Sequence, residues 1–237
     1  MYLADLHNVG IRCILLFICL CQSSFAAESQ IELAHPHIDF HNKNNIAKGA
    51  NHFAQRCLSC HSMHGLANDP VSIKAGITKE TQPTWDSKSW GGHPPPDLSL
   101  VAKRQSTEWI YTYLNSYYID QSRPTGYNNL VIENTSMPNP FAALQGKQIL
   151  VKYPNKNLKW FEVLELDSRG SMTPAEFNNM IMDIVNYLNY AAEPSKEERE
   201  SVGIWVLSYL FVLWLVLMAL NHLYWQPIKN KKKEHSD

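Results

Sequence analysis

The chain has 237 residues, of which 18% are charged and 45% apolar, and its formal net charge is −1. That balance excludes a disordered chain, and neither a basic surplus nor a Gly-rich phosphate loop points to nucleic acid or nucleotides. The length suits one medium domain with accessory segments.

Arg12 precedes an apolar run, Cys13 to Leu20, that is too short to span a bilayer. Ser24 and Ala26 then sit at the small-residue positions of an export cleavage site before Ala27, so residues 1–26 are expected to be a signal peptide. Cleavage removes Cys13, Cys19 and Cys21 and leaves Cys57 and Cys60, too few for a disulfide-stapled secreted domain. Residues 28–45 are polar, carry His35, His37 and His41, and read as a surface arm.

Ala47 to His61 reads as a helix with Ala50, Phe53, Ala54 and Cys57 on one face. From residue 64 to 96 the breakers Asp69-Pro70, Pro83, Gly91-Gly92 and Pro94-Pro95-Pro96 predict a long loop, which Trp85 and Trp90 tie to something. Ser106 caps a helix carrying Trp109, Ile110, Tyr113, Leu114 and Tyr117. Pro124, Gly126, Pro138, Pro140 and Pro154 then impose loops, and Trp160 to Leu166 alternates like a short strand. Thr173, Pro174 and Glu176 make a capping box with proline at the first helical position. Phe177, Met180, Ile181, Ile184, Val185 and Leu188 follow as an amphipathic stripe.

Pro194 ends that helix, and 13 residues separate Leu188 from Val202. Val202 to Leu220 holds 19 residues without a charge, about 28 Å of helix at ~1.5 Å per residue, near the hydrocarbon thickness of a bilayer. Trp205, Tyr224 and Trp225 sit at interfacial positions, and Lys229, Lys231, Lys232 and Lys233 follow. The expected organisation is a signal peptide at 1–26, an exported domain at 27–201, a transmembrane helix at 202–225 and a short basic cytoplasmic tail at 226–237. This makes the chain single-pass, with residues 27–201 outside the membrane and the C-terminus inside.

Cys57-Leu58-Ser59-Cys60-His61 is the haem-attachment sequence CxxCH. Two thiols two residues apart add to the two haem vinyl groups, and the next residue, His61, supplies an imidazole to the iron from the same side. A thioredoxin-like CxxC requires a βαβ context that residue 57 lacks, and a zinc site would need His52, His64 or His93 to supplement two thiolates. For the sixth iron position Met63 lies too near His61, and Met180 belongs to the amphipathic stripe. Met182 has no particular support. Met137, stiffened by Pro138 and Pro140, stands beside Met172 and His93 as alternatives.

Several segments resemble one family, cytochrome c1. Cys57 to Met63 resembles its extended CxxCHSM, and Pro95-Pro96-Asp97-Leu98-Ser99 its PPDLS. Pro124-Thr125-Gly126-Tyr127-Asn128-Asn129 and Ser136-Met137-Pro138 resemble the bacterial form of the loop bearing the methionine ligand. Tyr190-Ala191-Ala192-Glu193-Pro194 resembles the junction before a single C-terminal membrane helix. The resemblance implies an all-α, cytochrome c-like domain with long loops and one transmembrane helix. It implies one covalent haem c with His61 and Met137 as axial ligands, and Pro96 and Asp97 lining the haem edge. The family arginine that meets a haem propionate has no counterpart between Gly126 and Tyr127, which leaves Arg123 or Arg104 for that role.

The resemblance further implies an electron-transfer subunit of a quinol-oxidising oxidoreductase complex. Its partners are cytochrome b, a Rieske iron–sulfur protein as donor, and a cytochrome c or an oxidase as acceptor. Two other readings are a stand-alone membrane-anchored carrier serving a terminal oxidase and a haem enzyme or sensor with an open iron position. The acidic group Glu193, Glu197, Glu198 and Glu200 reads as a solvated linker or as a docking patch for a basic carrier.

Overall fold

A computed structural model describes residues 31–39 and 41–234, so the expected signal peptide lies outside the described residues. Two compact units divide the chain, one of residues 31–38 and 102–185, the other of residues 39, 41–101 and 186–234.

In the second unit, α1 spans Lys43–Arg56. Asn42 caps it by accepting the Asn45 N–H at 3.2 Å, and Ile46, Gly49, Ala50 and Phe53 form its buried face. The helix starts earlier and stops sooner than its periodicity predicts. It ends because Cys57 to His61 turns back on itself, the N–H groups of Cys60 and His61 both donating to the Cys57 carbonyl. The expected loop after it contains a 3-10 turn at His64–Leu66 and two short α-helices. In α2 (Pro70–Lys74), Asp69 is the N-cap and Pro70 the first helical residue, so the dipeptide that reads as a breaker is a helix start. The second, α3, spans Ser89–Gly92.

The first unit carries α5 (Thr107–Asn115), after the single turn α4 (Val101–Arg104). Ser106 caps α5 by accepting the Trp109 N–H at 3.1 Å. Trp109 stacks on Tyr113 at 5.1 Å and Tyr113 meets Tyr117 edge-on at 5.4 Å. Two antiparallel ribbons decorate this helical framework. Strand β1 (Tyr117–Ile119) pairs with β2 (Tyr127–Asn129). After α6 (Ala142–Gln145), β3 (Gly146–Leu150) pairs with β4 (Leu164–Arg169), which follows α7 (Trp160–Val163). The alternation read over Trp160–Leu166 therefore splits into one helical turn and the start of a strand. Ile31, Leu130, Val163 and Leu164 pack into one core with Tyr118, Leu158 and Trp160. Because Ile31 is buried there and the Ala34 N–H donates to Thr112 Oγ1 at 2.9 Å, residues 31–38 are pinned rather than a loose arm.

Helix α8 spans Pro174–Ala192. The capping box is present, with the Thr173 N–H donating to Glu176 Oε2 at 2.8 Å and the Glu176 N–H to Thr173 Oγ1 at 3.3 Å. All six stripe residues are buried. Helix α9 spans Lys196–Glu234, and residues 196–226 are long and apolar enough to cross a membrane. The charged stretch Lys196 to Glu200 is its first turn and not a linker, with Lys196 and Glu200 paired at 3.9 Å.

Candidate haem-attachment site

Cys57 and Cys60 are both free and half-buried at the turn after α1. Burial, with the neighbouring Cys60 adding to it, pushes the Cys57 thiol up to about 12. Among the described residues no group of three or more His, Cys, Asp or Glu side chains is placed to hold a metal ion, as a zinc site would require.

The next residue carries the deciding geometry. His61 Nδ1 lies 2.9 Å from the Pro96 carbonyl oxygen. That oxygen only accepts, so Nδ1 carries the proton and the lone pair is on Nε2, the form a metal-ligating histidine requires. Burial lowers the His61 pKa from its ordinary value, outweighing the Pro96 hydrogen bond and the Asp97 charge that raise it, so the ring is neutral at pH 7. Two thiols on a tight turn followed by a neutral imidazole of fixed tautomer fit haem c: Cys57 and Cys60 to bond it, His61 to ligate its iron.

Asp97 does more than border this site. Its carboxylate accepts from the Ser62 hydroxyl at 2.9 Å, the His64 N–H at 2.8 Å and the Ser99 N–H at 2.9 Å. Partial burial pushes its pKa up, but hydrogen bonds from Ser99, His64 and Ser62 outweigh that and hold it below the usual carboxylate range. The Leu98 N–H donates to the Ser62 carbonyl at 2.9 Å, and the Gly65 N–H to Ser99 Oγ at 2.9 Å. The Pro95–Ser99 turn is thus stitched along residues 61–65, and the Pro96 acceptor is fixed against His61. Two residues with no motif join from the other side. Gln82 Oε1 accepts the Met63 N–H at 2.6 Å, and Trp85 donates its indole N–H to the Cys60 carbonyl at 2.8 Å.

Cys57, Cys60, His61, Pro96 and Asp97 are thereby gathered in one unit. Met137 and Arg123 belong to the other. Met137 is half-buried in a loop fastened at both ends. Thr135 shares a hydrogen bond with Tyr113 Oη at 2.8 Å, and Asn139 Oδ1 accepts the Phe141 N–H at 2.9 Å. The Arg123 guanidinium donates to Asn134 Oδ1 at 2.7 Å and to the Asn134 carbonyl at 3.3 Å, bracing the same loop. His93 is exposed after α3, and Met172 is half-buried beside the Thr173 cap.

The model described as the Cytochrome C1 family matches residues 82–228. The chain belongs to the cytochrome c1 family. It is 31% identical to "Cytochrome c1" of Allochromatium vinosum over 90% of this chain and 96% of that one. It is also 31% identical to "Ammonia monooxygenase gamma subunit" of Nitrosomonas europaea, over 90% of this chain and 97% of that one. "Cytochrome b-c1 complex catalytic subunit, mitochondrial" of Candida albicans is 30% identical over 60% of this chain and 45% of its own. As a family member the chain is an electron-transfer protein that carries covalently bound haem c within a helical domain. The CxxCHSM and PPDLS segments that carried the resemblance in the sequence are the two strands of the hydrogen-bonded clamp around His61.

Proposed function

We propose that this chain is the haem subunit of a cytochrome bc1 complex, taking electrons from a Rieske iron–sulfur protein and delivering them to a cytochrome c. The observation that carries this reading is the clamp on His61, an imidazole of settled tautomer after two free cysteines, in a chain matched nearly end to end by a cytochrome c1. Haem c, when bound, takes up and releases one electron at a time. Cys57 and Cys60 would bond it and His61 would ligate its iron, with Met137 as the second ligand that the family resemblance implies. A thioether opposite histidine favours the ferrous state and raises the potential. A haem held by two side-chain ligands would serve electron transfer rather than substrate binding at iron. Arg123 supports the haem by meeting a propionate or by bracing the Met137 loop. Residues 202–225 anchor the chain beside cytochrome b in a bacterial inner membrane, with residues 27–201 in the periplasm, 226–237 in the cytoplasm and residues 1–26 removed on export.

Purification in mild detergent tests the reading. Cytochrome b and a Rieske subunit should co-purify, and inhibitors of the quinol-oxidation site should block reduction of this haem by ubiquinol. Absence of b-type haem together with inhibitor-insensitive reduction would favour a stand-alone carrier. Co-purification with a monooxygenase would favour the assembly named for the Nitrosomonas relative.

A further inference from the structure

We infer that Gln82 and Trp85 are positioning residues for the haem, gripping the attachment peptide on both sides of His61. The inference rests on haem c being bound at Cys57 and Cys60. Trp85 holds the Cys60 carbonyl, in the peptide bond leading into His61, and Gln82 holds the Met63 N–H, in the peptide bond leaving Ser62. The backbone angles of His61 and Ser62 are therefore enclosed between two fixed points. Pro96 meets the imidazole at Nδ1, and Asp97 accepts the His64 N–H. A ring fastened only at Nδ1 still swings about that bond, and a grip on its own backbone removes the remaining freedom.

Three features set this pair apart from ordinary loop packing. Gln82 is 7% exposed, yet its amide nitrogen is buried with no hydrogen-bond partner among the described residues. Buried polar atoms are rarely left so, and here the side chain forgoes one hydrogen bond while its oxygen reaches Met63. Pro83 follows directly and fixes the backbone between the two contacts. Trp85 in turn is propped by Trp90, edge-on at 5.7 Å, and Trp90 has φ +56°, a left-handed conformation that a bulky residue adopts only where its surroundings impose it. Residues 82–90 thus form a strap that reaches the backbone of Met63 through Gln82 and that of Cys60 through Trp85.

The environment of a haem and the orientation of its ligands set its potential. A slack strap admits water to the attachment peptide and favours the more highly charged ferric state. The test uses the full-length protein in its membrane assembly. Trp85→Phe keeps the ring and deletes the N–H; Gln82→Leu keeps the bulk and deletes the acceptor. Covalent haem content, read by pyridine haemochrome, should match wild type. In both variants the midpoint potential should fall and the low-spin g-values should move. Trp90→Phe, which leaves both hydrogen bonds, should retain the wild-type potential. Unchanged potential and g-values in either variant with full haem content would overturn the inference, and Gln82→Leu decides alone if Trp85→Phe does not accumulate. A wild-type protein lacking covalent haem would instead defeat the attachment site itself.

Discussion

Replacing Asp97 with alanine removes one carboxylate and the hydrogen bonds it accepts, among them those from the Ser62 hydroxyl, the His64 N–H and the Ser99 N–H. A hydrogen bond to a charged group contributes roughly 1.5–3 kcal/mol when well buried. Asp97 is half-buried and His64 exposed, so about 1 kcal/mol for each bond, about 3 kcal/mol in all, is the reasonable scale. For a chain of this size that lowers the melting midpoint by roughly 6–12 °C. Because the carboxylate's pKa is depressed in the folded state, its contribution is fully present above the unfolded value near ~3.9 and is lost as pH falls through the folded value. Melting of wild type and Asp97→Ala, followed by circular dichroism in detergent, should differ most at neutral pH and converge only as pH falls through the carboxylate's lowered folded-state value. A neutral-pH difference under about 2 °C, or one that persists unchanged in acid, would refute the assignment of a charged clamp.

Met137→Leu should leave covalent haem in place, lower the midpoint potential and open the iron to carbon monoxide, whereas Met172→Leu should do neither; exchanged results would move the axial ligand to Met172. Gly146 has φ +95°, and a Cβ there would lie 2.1 Å from the Ser168 carbonyl oxygen. Gly146→Ala should therefore separate β3 from β4 and destabilise by roughly 2–4 kcal/mol, visible as a lower denaturant midpoint with the haem spectrum intact.

The helices with explicit start signals were legible in the sequence. Ser106 and Thr173 cap where side-chain chemistry dictates, and the Phe177–Leu188 stripe is buried as its spacing requires. Cys57, Cys60 and His61 stand out in the sequence because attachment chemistry fixes the spacing of such a motif. Asp69-Pro70 was misread because the same pair breaks a helix or begins one, and only the Asp69 contact to the Ser72 N–H at 2.9 Å distinguishes them. The Trp160–Leu166 segment divided where propensity is weak and pairing with Gly146–Leu150 decides. Gln82 and Trp85 left no local signal, because their partners are 19 and 25 residues away and a single sequence does not record a hydrogen bond of that span.

Only Glu193, Pro194 and Ser195 stand between α8 and α9. The joint is fastened within itself: the Glu193 N–H donates to the Tyr190 carbonyl, the Lys196 N–H to the Glu193 carbonyl, and Arg199 closes an ion pair with Glu193. Fully stretched, three residues reach roughly 10 Å, whereas the 13 between Leu188 and Val202 would reach about 45 Å as a free chain. A leash that short has almost no radius of search. If α9 crosses a membrane, as proposed, the chain leading into it leaves the haem unit little reach, and a distant redox partner would have to make the journey itself.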